Sequence, residues 1–336
     1  MKALIYNGPG KIAYGSVPTP KIKPDEVLMR IKSVGICGTD LHIFRGGLNV
    51  PAGSVIGHEF SGEVAAAGSE VHHVKKGDRV IGEHVVSCGQ CLYCKTGKPN
   101  MCSNAQVIGL HRPGALAEYL AIPGSLVYKI PDTISFDEAA LAEPLSIAWY
   151  AVREAGYLLD KQVAVVGQGP IGLLVDQVLT AAGALVTGID IRPHTIAFAK
   201  KNGWIRHGIV TTEQSALERI QKYAPDGYDV VFEVVGAEAT AELSLEISRR
   251  NGTVFMLGVF ASPARLNMMN IVKKELHVFG SWTCANSFPE TIQLIDLKKV
   301  DLKSLITNVY PAKDGIKAFT EAANYQGHRL KSIINF

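Results

Sequence analysis

Residues 162–172 read QVAVVGQGPIG, an apolar run that leads directly into three glycines at the spacing GxGxxG. A helical pattern begins at Ile171, next to the third glycine, so the glycines lie where a buried strand must turn sharply into a helix. Gly167 would permit the turn, Gly169 would let a phosphate approach the backbone, and Gly172 would let helix and strand pack closely. The stretch therefore predicts a βαβ unit that binds the pyrophosphate of a dinucleotide. The alternative is a glycine-rich turn that binds nothing.

The alternation of apolar runs with amphipathic stretches continues beyond this loop, as in a doubly wound parallel sheet. The predicted strands run over 162–166, 184–190, 229–235, 253–259 and 277–282, and the predicted helices over 171–182, 193–202, 214–223 and 237–249. Before about residue 130 the pattern changes to short alternating runs broken by Gly and Pro, which is typical of β-structure. The last fifty residues predict helices at 288–297 and 313–324 and a strand at 331–336.

Asp190 ends the strand that follows the glycine loop, 18 residues after Gly172. A carboxylate there accepts hydrogen bonds from both hydroxyls of an adenosine ribose and repels a 2′-phosphate, which favours NAD over NADP. Arg192 would weaken this preference by offering the phosphate a partner. It would equally suit a solvated position at the start of the helix or a place over the adenine. We predict NAD as the cofactor, with NADP less favoured.

The composition limits the classes of function. The chain has 336 residues, 47% hydrophobic and 19% charged, which predicts a globular protein of two domains. Its net charge is +3 and its basic residues occur at most in pairs, so we expect neither nucleic acid nor a membrane surface as a partner. The first fifteen residues lack the apolar core of a signal peptide, and no stretch predicts a membrane span. We therefore expect a cytoplasmic protein.

Four of the six cysteines fall within fifteen positions, as Cys88, Cys91, Cys94 and Cys102. The spacing Cx2Cx2Cx7C places four thiolates in one loop that can close a tetrahedron around zinc. An iron–sulfur cluster is the chemical alternative, but the ferredoxin run continues as Cx3CP and this one does not. With four protein ligands the zinc would have no open position, so its expected role is structural.

A second set of possible metal ligands lies in the β-rich part, between glycines. Cys37, His58 and Glu59 would supply sulfur, nitrogen and oxygen. Taken singly, a cysteine or histidine is more often a core residue than a ligand, and spacing alone does not link these three.

Several motifs occur in one order along the chain: CGTD (37–40), GHEFSGEV (57–64), GDRV (77–80), the four-cysteine lobe, AEYL (117–120), AEPLS (142–146) and GQGPIG (167–172). Over essentially its whole length the chain resembles the zinc-containing medium-chain dehydrogenases, nearest the polyol (sorbitol) and L-threonine 3-dehydrogenase branches. The resemblance implies an α/β chain with a GroES-like, mainly-β catalytic domain made of residues 1–145 plus 283–336. A Rossmann domain that binds NAD, residues 146–282, would be inserted in it.

The resemblance also implies the roles of individual residues. Cys37, His58 and Glu59 would bind a catalytic zinc, and Glu143 of AEPLS would reach it directly or through a water. Thr39 and His42 would relay a proton through the nicotinamide ribose. Alternatively, Glu143 is a buried acid at an element boundary and His42 a surface histidine. Cofactor contacts beyond the loop and Asp190 are predicted at Pro170, Ile171, Arg192, Leu257, Gly258, Val259, Ser281 and Trp282.

The implied chemistry is reversible oxidation of a small-molecule alcohol, with zinc polarising the hydroxyl and NAD accepting a hydride. AEPLS resembles the polyol branch, so a polyol or sugar-derived secondary alcohol is predicted first. The alternative is L-threonine, since Arg112 would pair with a substrate carboxylate. A further alternative is a non-catalytic structural or sensory protein that binds NAD and zinc. Members of this family are dimers or tetramers, which predicts a homo-oligomer, dimeric or tetrameric, formed by edge strands around residues 253–282.

Overall fold

The structure is a computed structural model that describes residues 1–213, 216–324 and 329–336. Contacts along the backbone divide it into two compact units. Unit 1 comprises Met1–Glu143 with Ala285–Phe336, and unit 2 comprises Pro144–Cys284. Each junction lies two residues from the predicted one. Among the described helices, none has the length and apolar character that crossing a membrane requires.

Strands dominate unit 1 and alternate with helices in unit 2. Within the described ranges the strands are β1 (Lys2–Tyr6), β2 (Ile12–Ser16), β3 (Glu26–Gly35), β4 (Ser54–Val55), β5 (Glu59–Ala67), β6 (Arg79–Gly82), β7 (Val85–Val86), β8 (Gln106–Val107), β9 (Tyr119–Pro123), β10 (Val127–Lys129), β11 (Gln162–Val166), β12 (Leu185–Asp190), β13 (His207–Val210), β14 (Tyr228–Glu233), β15 (Ser248–Met256), β16 (His277–Gly280), β17 (Ile306–Pro311) and β18 (Lys331–Asn335). The helices are α1 (Gly38–Phe44), α2 (Leu92–Lys95), α3 (Phe136–Ala140), α4 (Ala142–Glu154), α5 (Pro170–Ala181), α6 (Pro193–Lys201), α7 (Ala216–Tyr223), α8 (Glu238–Ile247), α9 (Met268–Lys274), α10 (Phe288–Asp296) and α11 (Gly315–Ala323).

Unit 1 is built around the long strand β3. The main sheet has the order β10-β6-β5-β3-β18-β17, and β9 also pairs with β3. Val27, Met29 and Ile31 alternate along β3 and are buried, as expected of a strand with one face toward a core. The antiparallel pairing of β3 with β5 sets Gly35 opposite Glu59. This register brings the end of β3 beside the start of β5.

Unit 2 is a six-stranded parallel sheet with the order β13-β12-β11-β14-β15-β16. The order reverses between β11 and β14, so this is the doubly wound topology, and the predicted fold class is confirmed. Strand β13 was not predicted, because its four residues are too short a run to give a clear period. The helix predicted over 237–249 ends at Ile247 instead. From Ser248 the chain pairs with β14, and Asn251 takes the left-handed conformation (φ 56°).

Helix α7 and strand β16 correspond to two further predicted elements. The helix predicted over 214–223 is described from Ala216 to Tyr223, and its predicted first residue, Gln214, lies outside the described residues. Strand β16 stands last in the sheet order, and all its residues are exposed. Phe279 stacks on Phe255 at 5.4 Å between ring centroids yet remains 50% exposed. An exposed apolar edge strand is a template for pairing with another chain.

Candidate metal centres and dinucleotide site

The four predicted cysteines lie together in one loop of unit 1. Their sulfur atoms are all within 4.8 Å of one another, and no disulfide joins them. The Sγ atoms of Cys91 and Cys94 are 3.5 Å apart. Helix α2 begins directly after Cys91, so this short helix carries Cys94 back toward the other thiols.

Backbone amides of the same loop point at these sulfurs. The N–H of Cys88 donates to Sγ of Cys102 at 3.3 Å, and the N–H of Asn104 donates to the same sulfur at 3.4 Å. Backbone N–H groups also lower the pKa of Cys88 and bring the pKa of Cys91 to about 6. Amide donors stabilise thiolates, and four converging thiolates suit the tetrahedral coordination of zinc. The four-cysteine lobe therefore fits a structural zinc ion.

The second ligand set is assembled from two elements that are distant in sequence. Cys37 precedes α1, whereas His58 and Glu59 lie at the start of β5, and the ligand atoms of all three lie within 4.8 Å of one another. The pairing of β3 with β5 makes this possible. Gly35 must lack a side chain, because a Cβ there would lie 2.2 Å from Oε2 of Glu59.

Asp40 supports two of these ligands and is completely buried. Its Oδ2 accepts the N–H of Cys37 at 2.9 Å, and its Oδ1 lies 3.7 Å from Nδ1 of His58. A carboxylate beside one ring nitrogen orients the imidazole and leaves the other nitrogen for a metal. With Nδ1 facing Asp40, Nε2 of His58 is the nitrogen left for coordination.

Glu59 and Lys331 form a buried ion pair in which Lys331 Nζ contacts Oε1 of Glu59. Burial opposes the charge on Lys331, but Glu59 and Cys37 raise its pKa above the ordinary value. The other carboxylate oxygen of Glu59 is buried and has no hydrogen-bond partner among the described residues. That oxygen fits a metal ligand.

Glu143 is the second residue of α4 and lies beside this set. Its Oε1 is 3.1 Å from Nδ1 of His84, and the rings of His84 and His58 are 5.5 Å apart. Burial raises the pKa of Glu143 to about 7, and burial together with His58 lowers the pKa of His84 to about 3. Three buried acids, Asp40, Glu59 and Glu143, surround the site, whereas Lys331 is the one buried lysine there among the described residues. This excess of acidic groups is complementary to a divalent cation. The donor set fits a zinc site of mixed S, N and O ligands.

The two predicted relay residues lie on α1. Thr39 is half-buried and His42, three residues later, is exposed. Residues three apart lie on one face of a helix, so the pair extends from a partly covered position to the surface. The chain packs closely against the imidazole at Gly47, where a Cβ would lie 1.8 Å from ring atoms of His42.

The glycine loop of unit 2 joins β11 to α5. Gly167 has φ +106°, a conformation that favours glycine, and its N–H bonds to the carbonyl of Ile189 at 2.8 Å. A Cβ on Gly172 would lie 1.8 Å from the carbonyl oxygen of Gly167. Helix α5 starts at Pro170, with Ile171 and Gly172 in its first turn. The free amides of this turn suit an anionic group.

The remaining predicted cofactor residues follow the carboxyl ends of neighbouring strands. Asp190 ends β12, and its carboxylate contacts the Gln168 amide and the Arg192 side chain. Three residues follow β15 and two follow β16: Leu257, Gly258, Val259, Ser281 and Trp282. In parallel sheets, ligands bind beyond the carboxyl ends of the strands, at the point where the strand order reverses. The residues present fit a dinucleotide.

Three residues beside the second ligand set have no role that a sequence motif predicts. Asp40 stood within the quoted CGTD motif, and its place three residues after Cys37 was the available signal, since an acid there caps a helix start. His84 follows β6 without a motif, and Lys331 begins the last strand. Their proximity depends on strand pairing, which no local pattern indicates.

Unit 1 therefore carries two sets of residues that suit metal ligation on a mainly-β fold, and unit 2 has the sheet topology and glycine loop that suit a dinucleotide. That combination defines the class of zinc-containing, dinucleotide-dependent dehydrogenases. Residues 23–132 match the alcohol dehydrogenase GroES-like domain family, and residues 170–297 match the zinc-binding dehydrogenase family. The chain belongs to the zinc-type medium-chain alcohol dehydrogenase family, which confirms the resemblance predicted from the sequence.

Two curated relatives illustrate the range of this family. Sorbitol dehydrogenase of Bacillus subtilis is 34% identical over 342 residues, which cover 99% of this chain and 97% of the relative. L-threonine 3-dehydrogenase of Chelativorans sp. is 33% identical over 347 residues, covering 100% and 99%. Because the two identities are nearly equal, overall similarity does not choose between the two substrates.

Solved structures of this fold include complexes with both dinucleotides. An alcohol dehydrogenase from Escherichia coli complexed with NADH superposes with a TM-score of 0.94 at 29% identity, covering 100% of this chain and 99% of the other. A zinc-binding dehydrogenase from Sinorhizobium meliloti bound to NADP has a TM-score of 0.92 at 28% identity, with the same coverage. Galactitol-1-phosphate dehydrogenase from E. coli has a TM-score of 0.94 at 29% identity and covers both chains completely.

Proposed function

We propose that this protein is a zinc-dependent, NAD-dependent dehydrogenase that oxidises a secondary alcohol of a polyol or sugar-derived substrate to a ketone, reversibly. The observation that carries the proposal is the convergence of the half-buried Cys37 with the buried His58 and Glu59, with the buried Glu143 beside them. Three ligands and a nearby carboxylate leave a position that a substrate oxygen can take. The four-cysteine lobe has no such position.

The proposed roles follow from the contacts of each residue. Cys37, His58 and Glu59 hold the catalytic zinc, Asp40 fixes the ring of His58, and Lys331 fixes the carboxylate of Glu59. A bound zinc ion lowers the pKa of a hydroxyl group and so favours hydride loss from the adjacent carbon. Glu143 would bind the zinc directly or through a water. Thr39 and His42 carry the hydroxyl proton toward solvent along α1.

For the cofactor we propose NAD, with NADP less favoured. The support is the position of Asp190 at the carboxyl end of β12, next to the first glycine of the loop. A carboxylate there accepts ribose hydroxyls and repels a 2′-phosphate. The dinucleotide, when bound, accepts the hydride.

For the substrate we propose a polyol or sugar-derived alcohol before L-threonine. The sequence argument for threonine relied on Arg112, which would have to meet a carboxylate of the substrate. In the structure Nη2 of Arg112 pairs with Oε1 of the buried Glu26 at 3.1 Å, so its charge is already compensated. The AEPLS motif at residues 142–146, which resembles the polyol branch, is the second support for the polyol class.

We also propose a homo-oligomer, a dimer or tetramer, that pairs through the exposed edge strand β16. Val278 and Phe279 of this strand and the following Trp282 expose apolar surface. Light scattering at micromolar concentration tests this directly. A monomer under those conditions contradicts it.

The deciding experiment is NADH formation by zinc-replete protein across sugar alcohols, aldoses, sugar acids, cyclitols and L-threonine, with NADP in parallel. The Cys37→Ser variant serves as the control, because it leaves the four-cysteine lobe unchanged and should retain the fold. Turnover of a polyol or sugar-type alcohol supports the proposal, and turnover of threonine alone replaces the substrate class. If no substrate of the panel is oxidised by protein fully occupied with zinc and NAD, the result favours the non-catalytic alternative.

A further inference from the structure

Glu233 is the last residue of β14 and is completely buried. Strand pairing sets it beside Val166, the last residue of β11, and Met256, the last residue of β15. The glycine loop starts directly after Val166, and the strand order of the sheet reverses between β11 and β14. Burying a carboxyl group is unfavourable unless hydrogen bonds compensate, so the partners of Glu233 indicate what it does at this place.

The side chain of Glu233 binds the turn that joins β14 to α8. Its Oε1 accepts the N–H of Val235 at 2.9 Å and the N–H of Gly236 at 2.8 Å. The hydroxyl of Thr240, in the first turn of α8, donates to the same oxygen at 2.7 Å. Oε2 is also buried, and no hydrogen bond reaches it from any residue that the structure describes. Three donors on one oxygen fix the turn relative to the end of β14.

The backbone of Glu233 binds the segment that follows β15. Its main-chain carbonyl accepts the N–H of Leu257 at 2.8 Å and the N–H of Gly258 at 3.1 Å. A Cβ on Gly258 would lie 2.0 Å from the amide nitrogen of Gly236 and 2.5 Å from Oε2 of Glu233. The segment after β15 therefore packs against both the carboxyl group and the turn that this group binds, with no room for a side chain between them.

The turn after β14 also packs against the glycine loop. The N–H of Val234 donates to the carbonyl of Val166 at 2.9 Å, and a Cβ on Gly167 would lie 2.5 Å from Cγ2 of Val235. Glu233 thus lies where three loops meet, those that follow β11, β14 and β15. All three are at the carboxyl ends of the parallel strands, where dinucleotides bind to such sheets.

We propose that Glu233 is a positioning residue of the dinucleotide site, because it holds the turn after β14 against the glycine loop and against the segment after β15. It is buried, so it acts through these backbone segments rather than through a contact of its own with the cofactor. Loss of its carboxyl group should shift the segments that bind the cofactor. The inference rests on the dinucleotide site of the proposed function.

Asp229 is a matched control near the other end of the same strand. Its Oδ2 accepts the N–H of Gln162, the first residue of β11, at 2.8 Å, and its Oδ1 accepts Nε of Arg249 at 2.8 Å. Like Glu233, it therefore ties β14 to neighbouring backbone, but at the amino ends of the strands, opposite to the glycine loop. If acids at the ends of β14 served stability alone, the two would be equivalent for cofactor binding.

The test is the Kd for NADH, measured by titration calorimetry on zinc-replete protein without substrate, together with the Tm of the same samples. Glu233→Ala leaves two backbone N–H groups without their acceptor, so we expect NADH to bind about thirtyfold more weakly. Asp229→Ala should lower the Tm without changing the Kd for NADH. Glu233→Gln keeps an oxygen that can accept the same hydrogen bonds, so it should recover most of the affinity.

Glu233→Asp provides a readout should Glu233→Ala fail to fold. The side chain is then one methylene shorter and cannot reach all three donors, so NADH should bind about fivefold more weakly. The inference is overturned if Glu233→Asp and any folded Glu233→Ala bind NADH as tightly as the wild type, or if Asp229→Ala weakens binding as much as they do. Glu233 then only stabilises unit 2, and the proposed function is unaffected. If the wild-type protein binds neither NADH nor NADPH, the proposed function fails as well, so the two failures are distinguishable.

Discussion

The two candidate metal centres of unit 1 differ in how they are built. The four-cysteine lobe takes all its ligands from fifteen consecutive positions, and its sulfurs accept hydrogen bonds from amides of the same loop. The second centre takes its ligands from the residue before α1 and from the beginning of β5. It is surrounded by four further side chains, Asp40, His84, Glu143 and Lys331.

This difference in construction suits a structural role for the lobe and a catalytic role for the second centre. A loop that supplies four ligands and their amide donors closes the coordination sphere and fixes its own conformation. A centre held by separate elements depends on the whole sheet, and it places titratable groups around an open position. Removing a ligand should therefore affect folding in the lobe and chemistry in the second centre.

The largest expected effect is on activity, from Cys37→Ser. Lewis-acid stabilisation by a metal is worth several kcal/mol, so loss of this ligand should reduce kcat/KM by about a thousandfold or more. If the proposed two zinc ions per chain are correct, the variant should also lose one of them, as measured by elemental analysis. Cys284→Ser changes a cysteine outside both clusters and should keep both ions. Full activity in Cys37→Ser would show that the second centre is not the catalytic one.

The next effect is on stability, from Cys91→Ser. Loss of one thiolate should open the lobe and release its zinc, which should lower the Tm by about 10 °C. Activity per remaining folded molecule should stay within a fewfold of the wild type at low temperature. Calorimetry with a zinc assay on the same sample checks both statements. A variant that unfolds normally but has lost turnover would reverse the roles assigned to the two centres.

The same difference explains what could be predicted from the sequence. The cysteine spacing and the glycine loop are local, so their elements and residues followed from the order of residues alone. Only the family resemblance predicted that Cys37, His58 and Glu59 form one site. Neither segment contains a local sequence pattern that predicts the pairing of Gly35 with Glu59. The roles of His84 and Lys331 were missed for the same reason, since each meets its partner only through the folded sheet.

A smaller effect on zinc affinity or turnover is expected from substitution of His84, whose Nδ1 lies 3.1 Å from Oε1 of Glu143. We expect His84→Ala to lower the zinc affinity of the second centre, or kcat, by roughly 10- to 100-fold, the usual cost of removing a supporting contact. His84→Asn retains a donor near the position of Nδ1 and should recover much of the loss. Zinc affinity is measured by competition with a chelator. If both variants lose equally, His84 acts only by filling space.

Glu83 lies in the segment between the two centres, and its titration tests whether burial keeps its carboxyl group protonated. It follows β6, five residues before Cys88, and is only 6% exposed. Burial raises its pKa from 4.5 to about 7, although a hydrogen bond from the hydroxyl of Tyr128 at 3.3 Å opposes the rise. The folded protein therefore holds this proton more tightly than the unfolded chain does.

The sign of the pH dependence follows from linkage. Between pH 4.5 and 7 the unfolded chain has released the proton and the folded protein has not, so the contribution of Glu83 to stability falls as pH rises through this window. Glu83→Gln has no charge to bury and should be more stable than the wild type by about 3 kcal/mol at pH 8, with little difference at pH 4.5. Urea unfolding of both proteins at saturating zinc measures this. Glu70→Gln, on an exposed acid, should show no such dependence. Equal stability gains for Glu83→Gln at both pH values would mean that the carboxyl group is not held protonated by burial.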